Sequence, residues 1–121
     1  MKLSDVPLPQ HDPERKAVQR IIAWVAENTW ADAIEPKRLA SEAREVSLAD
    51  LLRAFIFLQS QGVFEVRYRP ISPATHQIVH QDFESPIEIR KAIQIRDASE
   101  NVFDGWDVDF VQVFIPTEHW R

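Results

Sequence analysis

The sequence predicts an α+β fold, in which a core of three helices is combined with a small antiparallel β-sheet and a short extra helix. Three observations lead to this class. Residues 13–62 carry apolar side chains at helical spacing between capping residues. Residues 64–69 alternate strictly between apolar and charged side chains. Residues 110–115 form a nearly continuous apolar run, which is typical of a strand.

Size and composition limit the alternatives. The chain has 121 residues, 45% of them hydrophobic and 27% charged, which suits one globular domain over residues 1–121. It contains no cysteine, which excludes disulfides, thiolate metal sites and a cysteine nucleophile. Neither a signal-peptide pattern nor an apolar run near the ~18 residues that span a bilayer is present. We therefore expect a cytoplasmic protein with no membrane partner.

The charge distribution bears on the choice of partner. The formal net charge is −5, and the acidic excess is concentrated in the second half of the chain. Residues 1–62 carry 8 basic and 9 acidic groups, whereas residues 63–121 carry 6 basic and 10 acidic groups. Proteins that bind nucleic acids usually show a basic surface, because neutralisation of phosphates dominates their affinity. The charge disfavours a nucleic-acid partner without excluding one.

A polar arm and a long helix open the chain. Residues 1–11 are polar and contain two prolines, which indicates an extended arm. Asp12 suits an N-cap, and the proline after it suits the first helical position. Trp30 is expected to pack where the chain leaves this helix. The apolar residues that recur on one helical face are Ala17, Val18, Ile21, Ile22 and Val25, with Trp24 beside them.

Two further helices are predicted before the first strand. Pro36 opens the second helix, which we expect to end near residues 44–45. Ser47 and Asp50 have the spacing of a capping box at the start of the third helix. Gly62 suits the C-terminal cap of that helix, with a positive φ angle.

The second half predicts strands and one more helix. The alternation over 63–69 predicts a strand, and residues 75–81 are expected to return beside it as a second strand or wing. A capping box with a proline predicts a helix over 86–93. Residues 97–105 are polar and predict a loop. The run at 109–115 predicts a strand that is buried on both faces and pairs with the first one.

One series of residues carries a resemblance to a known family. The series comprises Leu39 and Ala40 on the second helix, Val46 and Ser47 at the turn, Leu51, Leu52, Phe55 and Leu58 on the third helix, and Gly62 to Phe64 at the start of the strand. In this order they resemble the winged helix-turn-helix superfamily, over residues 13–70. The resemblance implies a winged-helix core, with residues 71–121 as an unmatched extension that completes the sheet.

The third helix departs from the DNA-binding members of that superfamily, in which its exposed side enters the major groove with polar or basic side chains. Here the side opposite the predicted core offers Arg53 as its one basic residue, beside Ile56, Phe57 and the acidic Asp50. We therefore predict a protein-interaction module, an accessory or adaptor subunit, that uses Arg53, Ile56 and Phe57 to bind another protein or a second copy of itself. The alternative is that the C-terminal segment covers this side.

A DNA-binding transcriptional regulator is the second hypothesis. In it the third helix enters the major groove, and nearby cations hold the phosphate backbone of duplex DNA. The residues for this role are Lys37, Arg38, Ser47, Arg53, Arg67 and Arg69. The simpler interpretation is that the cations among them are solvated and paired with acidic neighbours such as Glu42 and Glu65.

Catalysis is not expected. The chain has no glycine-rich phosphate loop, no nucleophile elbow and no HExxH motif, and we expect no cofactor and no bound metal. His76 and His80 are four residues apart, but their spacing from Asp82 fits no established zinc site. They and Asp107 are the residues to test if an enzyme site lies in the unmatched half. The acidic segment 104–109 lacks the ligand pattern of an EF-hand, although it could dock a basic partner.

Overall fold

The computed structural model describes residues 5–29 and 31–117. These residues divide into two compact units. The helical unit contains the described residues up to Glu65 and those from Phe114 onward, and the second unit is Val66–Val113. The elements confirm a mixed helix and strand class; they are α1 (Asp12–Glu27), α2 (Pro36–Glu42), α3 (Leu48–Ser60), β1 (Phe64–Pro70), α4 (Pro86–Lys91), β2 (Ile95–Arg96), β3 (Val102–Phe103) and β4 (Phe110–Pro116).

The start of α1 differs from the prediction in its cap. The helix includes Asp12 as its first residue, and His11 occupies the N-cap position without a side-chain hydrogen bond. The carboxylate of Asp12 therefore acts only as a negative charge in the first turn, where it favours the positive end of the helix dipole. The predicted apolar face is confirmed at Ala17, Val18 and Ile21, and Trp24, expected beside it, is also buried, whereas Ile22 and Val25 are only partly buried.

The described part of the N-terminal arm contacts the helical unit. Val6 is buried. The Arg15 guanidinium donates hydrogen bonds to the carbonyl oxygens of Pro9 and Gln10, at 3.1 and 3.2 Å. Residues 1–4 of the predicted arm, and the predicted packing of Trp30, lie outside the described residues.

The boundaries of α2 and α3 follow from their capping residues. α2 begins at Pro36 as predicted but ends at Glu42, because the N–H of Ala43 closes the last turn on the Leu39 carbonyl. The predicted cap of α3 is confirmed, since Ser47 Oγ accepts a hydrogen bond from the Asp50 N–H at 3.1 Å.

The end of α3 is a Schellman motif. Gly62 has a φ of 75°, which confirms the predicted positive angle. Its N–H donates to the Gln59 carbonyl, and the Val63 N–H donates to the Leu58 carbonyl, both at 3.0 Å. This pair of bonds satisfies the last carbonyls of the helix and turns the chain directly into β1.

An aromatic cluster fills the core of the helical unit. Phe55 of α3 stacks on Phe114 with 4.5 Å between ring centroids, and Phe64 lies 5.7 Å from Phe55. Ile34, just before α2, forms an isolated antiparallel bridge with Phe114, with reciprocal backbone hydrogen bonds of 2.8 and 2.9 Å. Residues far apart in sequence therefore converge on one apolar centre.

The predicted pairing of β1 with β4 is confirmed. Their antiparallel direction follows from a bond between the Thr117 N–H and the Val63 carbonyl at one end, and one between the Ile71 N–H and the Asp109 carbonyl at the other. The expectation that β4 is buried on both faces is wrong for much of its length, since Phe110 is exposed. A two-stranded antiparallel sheet can leave part of its surface in water.

The predicted wing strand over 75–81 does not form. Two isolated bridges take its place, Ile71 with Ile78 and Tyr68 with Phe83. The physical reason is that the turn held by the Ser72 hydroxyl, which accepts hydrogen bonds from the N–H groups of Ala74 and Thr75, continues to His76, whose φ of 60° does not fit a strand.

Part of the region predicted to be a loop, 97–105, forms β3, which makes a short hairpin with β2 just before that region. β2 and β3 pair antiparallel, with Ile95 opposite Phe103. The apolar cluster of this unit is small, with Val79, Ile89 and Ile95 at its centre. Its partly buried neighbours are Tyr68, Phe83, Ala92, Phe103 and Val108.

α4 confirms the predicted capping residue and ends two residues early. Ser85 Oγ accepts a hydrogen bond from the Glu88 N–H at 3.3 Å. The helix stops at Lys91 because Ala92 is extended, and the Ala92 carbonyl accepts a bond from the Gly105 N–H at 3.0 Å. If α4 continued beyond Lys91, the Ala92 carbonyl would accept a hydrogen bond within the helix instead.

Candidate interaction surface

The solvent-facing side of α3 carries a row of aliphatic residues. Leu48, Leu52 and Ile56 are spaced four residues apart, so each lies one turn above the last on the same side of the helix. All three are exposed: 36% for each leucine and 60% for Ile56. We call these three residues the α3 stripe. A helix at the surface of a globular protein normally places polar side chains at such positions.

The stripe exists because α3 is apolar on more than one side. Its buried side already fills the core of the helical unit with Leu51, Ala54, Phe55 and Leu58. The helix has no further buried positions to offer, so its remaining aliphatic side chains stay in water. α3 therefore carries more apolar side chains than its packing against the core buries.

The three predicted interaction residues differ in position. Ile56 is exposed, as the interaction hypothesis requires, and so is Arg53, whose guanidinium forms a 3.2 Å ion pair with Asp50. Phe57 is half-buried, so the exposed apolar surface is centred on Ile56 and Leu52 rather than on Phe57. The Arg53 pair is exposed and contributes little stability, so the arginine can exchange partners readily.

The residues of the DNA hypothesis fall in both units. Lys37 and Arg38 are exposed on α2, and neither forms an ion pair with any residue that the structure describes. Ser47 is exposed, with its hydroxyl engaged as the α3 cap. Arg67 is half-buried and donates to the carbonyl of its neighbour Val66 at 2.7 Å.

Arg69 contradicts the predicted alternation of β1. The pattern places it on an exposed face, whereas its side chain is only 7% exposed. Its Nε donates to Asp82 Oδ1 at 2.6 Å, and its Nη1 lies 3.3 Å from His80 Nδ1. A buried guanidinium needs such a carboxylate to compensate its lost hydration, which fixes it inside the second unit. It is not placed to hold a DNA phosphate.

Of the residues singled out as enzyme candidates, the structure brings only His80 and Asp82 together, since both contact Arg69. Asp82 is the partner of Arg69, and His76 is exposed at a turn, with a φ of 60°. Asp107 is exposed on a different loop. Within 5–29 and 31–117, no group of three or more His, Asp or Glu side chains is arranged to hold a metal ion.

Sequence reasoning missed a buried polar network around Asp97. The Ser72 hydroxyl donates to Asp97 Oδ2 at 2.7 Å, and the N–H groups of Ser99 and Asn101 donate to Oδ1 at 2.9 Å each. These bonds, led by the one from Ser72, hold the pKa of Asp97 below its ordinary value of 3.8. An Asp followed by Ser and Asn is a signal for a local turn, but no signal pointed to Ser72.

Comparison with known proteins does not extend these observations. No protein-family model matches the chain, and neither a curated protein nor a solved structure resembles it significantly. Among the described residues, no helix combines the length and apolarity needed to cross a membrane.

Proposed function

We propose that this chain is a non-enzymatic winged-helix interaction module, an accessory or adaptor subunit, that binds another protein or a second copy of itself through α3. The observation that carries the proposal is the exposed α3 stripe of Leu48, Leu52 and Ile56. Arg53 lies on the same exposed side, where it would supply the polar rim of the interface.

The free energy gained by burying the α3 stripe suits an anchor within a larger interface. Full burial of one leucine or isoleucine side chain contributes roughly 1.5–3 kcal/mol. The two leucines of the stripe are already partly covered, so Ile56 offers the largest gain on binding. Three such residues contribute a few kcal/mol, which partly offsets the cost of association. A partner must therefore cover neighbouring surface as well.

The partner is expected to be protein rather than nucleic acid. The net charge of −5 repels a phosphate backbone, and an aliphatic stripe offers no hydrogen bonds to base edges. Phe57, beside the stripe and half-buried, would support Ile56 from within the helical unit rather than meet the partner first.

The test is to place a charge in the stripe. Ile56→Asp should weaken self-association, measured by light scattering over a range of concentrations, or the capture of a partner from cell extract, by about tenfold or more. Gln19→Asp is the matched control, because it places the same residue on an exposed position of α1. The proposal fails if Ile56→Asp and Leu52→Asp both leave association and capture unchanged.

Duplex DNA is retained as a second candidate on one observation: Lys37 and Arg38 are adjacent, exposed and without an ion pair to any described residue. Binding of this kind should weaken steeply with added salt. The measurement is a titration of a labelled duplex at low and physiological salt, with Lys37→Ala and Arg38→Ala combined. Absence of binding at low salt would eliminate this candidate.

A further inference from the structure

The second unit exposes a tryptophan on a backbone that is held in place. The side chain of Trp106 is 74% exposed, the largest aromatic surface among the described residues. The backbone N–H of Trp106 donates to Asp104 Oδ1 at 3.0 Å, and the backbone N–H of Gly105 donates to the Ala92 carbonyl at 3.0 Å. The indole therefore projects from a fixed turn rather than from a free chain end.

Gly105 explains why this turn is fixed. It is buried, and a Cβ atom built on it would lie 1.8 Å from the Ile89 carbonyl oxygen. That distance is far inside van der Waals contact, so the turn fits against α4 only because residue 105 has no side chain. A fixed backbone lowers the entropy that the tryptophan would lose on binding.

A second exposed apolar residue lies on the neighbouring backbone. Ile93 follows Ala92, whose carbonyl receives the Gly105 N–H, so residues 93 and 106 lie on adjoining segments. The Ile93 side chain is 84% exposed. We call Trp106 and Ile93 the Trp106 site. Two large apolar side chains this exposed on adjacent segments are an unusual feature for a surface with no partner.

The charges around the site specify the kind of partner. Asp104, Asp107 and Asp109 are all exposed and lie within three residues of Trp106 along the chain. The sequence has no lysine or arginine between Arg96 and Arg121. In addition, none of the three aspartates forms an ion pair with any residue that the structure describes. Arg90 and Lys91, which precede Ile93, are exposed cations, but they are fewer than the three carboxylates, and the remaining negative charge favours a cationic partner.

Lysine and arginine have the chemistry that fits both features. Their cationic groups are attracted to the face of an indole, and their aliphatic stems can cover an apolar neighbour such as Ile93. The carboxylates would add electrostatic steering and partial neutralisation. A purely apolar partner would leave the three aspartates unused, and an acidic one would be repelled.

We propose that the Trp106 site docks a lysine- or arginine-bearing segment of another protein, with the cation over the indole and Asp104, Asp107 and Asp109 supplying the opposing charge. This site belongs to the second unit and does not depend on the α3 stripe.

The experiment is a nuclear magnetic resonance titration of the full chain with a short acetylated peptide of alternating lysine and alanine. The indole N–H signal of Trp106, assigned from its absence in Trp106→Ala, should move in a saturable way. Trp106→Ala should weaken binding by about fivefold, measured on the backbone amide of Asp107, since an exposed cation–π contact contributes on the order of 1 kcal/mol. Because the indole is exposed, this variant should keep the backbone spectrum of the parent.

Further variants separate charge from hydrophobic contact. Asp107→Asn should weaken binding by about twofold to threefold and reduce its salt dependence, because it removes one exposed carboxylate. Ile87→Ala is the control for Trp106→Ala and should leave peptide binding unchanged, since Ile87 is an exposed apolar residue of α4 outside the site. Ile56→Asp, which tests the α3 stripe, should also bind the peptide normally, so the two proposals can fail separately.

Three results would overturn the proposal. The first is the lack of any saturable shift at peptide concentrations up to about 1 mM, the weak end of specific recognition. The second is an unchanged affinity in Trp106→Ala. The third is equal binding of a matched peptide of alternating glutamate and alanine.

Discussion

The two units of this protein differ in what fills their interiors. The helical unit is centred on the rings of Phe55, Phe64 and Phe114. The second unit has a smaller apolar cluster and also contains every buried polar or charged residue of the described chain: Arg69, Ser72 and Asp97.

The difference shows how two kinds of interior specify structure. Apolar burial is non-directional, so the helical unit needs side chains of suitable size at helical spacing. A buried polar group instead needs one partner at one geometry, and the loss of that partner is costly. Ser72 and Asp97 are 25 residues apart, and Arg69 and Asp82 are 13 apart. The second unit should therefore depend more strongly on single contacts and on pH.

The two glycines of the chain provide the sharpest test of this comparison, because each lies in a different unit. Gly105→Ala should lower the free energy of unfolding by about 3 kcal/mol or more, since the new Cβ would overlap backbone atoms of Ile89. Gly62→Ala should cost only about 1–2 kcal/mol, because its φ is positive but nothing lies within 4 Å of the added Cβ. Urea unfolding followed by circular dichroism measures both.

Similar losses for the two glycine variants would contradict this difference between the units, because they would show that the turn at residue 105 adapts to a side chain as easily as a helix end does. Amide hydrogen exchange then shows which part of the chain each variant destabilises. Gly105→Ala should accelerate exchange within Val66–Val113 in particular.

The buried network should make stability depend on acid pH. The folded-state pKa of Asp97 is lowered, so its contribution is present above the ordinary value of 3.8 and is lost as pH falls through the folded value. Ser72→Ala removes the largest cause of that lowering and should flatten the fall in stability below about pH 4. The loss at neutral pH should be smaller than for Gly105→Ala. Thermal unfolding of both proteins between pH 3 and 7 gives the comparison, and parallel pH profiles would contradict it.

Removal of the two serine helix caps should cause the smallest losses of stability, and these losses should be similar in the two units. Ser47 and Ser85 cap helices in different units through the same type of bond. Ser47→Ala should cost about 1 kcal/mol, and Ser85→Ala about 0.5 kcal/mol, because α4 has only 6 residues to stabilise. Ser47→Asp is a rescue control, since aspartate also caps helices. A larger loss at Ser85 would indicate that α4 is more important to the second unit than its length indicates.

The prediction of the helical unit was largely correct because its signals are local. The cap at Ser47, the positive φ at Gly62 and the buried face of α1 each depend on residues within one or two helical turns. Of the predicted site residues, Arg53 and Ile56 proved exposed, because helical spacing shows which side of α3 is left over once its core positions are assigned.

The second unit was predicted less well because its contacts are distant in sequence. The wing strand was wrong because the turn that begins at Ser72 continues to His76, which has a φ of 60°, where the pattern indicated extended chain. Arg69 was expected on an exposed face because alternation alone does not show that Asp82 will neutralise it. The exposure of Trp106 was also missed, since nothing near it in sequence distinguishes an exposed indole from a buried one.

The amino-acid sequence alone predicts the helices, the serine caps of α3 and α4, the pairing of the strand after α3 with the last strand, and the aliphatic excess of α3. Except for the strand pairing, these features arise from periodicity and from side chains that bond to neighbouring backbone, so they are encoded within a few residues. It takes the three-dimensional structure to show which charged groups are buried, how far the turn of the wing region extends, and that Trp106 and Ile93 remain in water. Each of those outcomes depends on the free energy of bringing distant groups together, which no local pattern records.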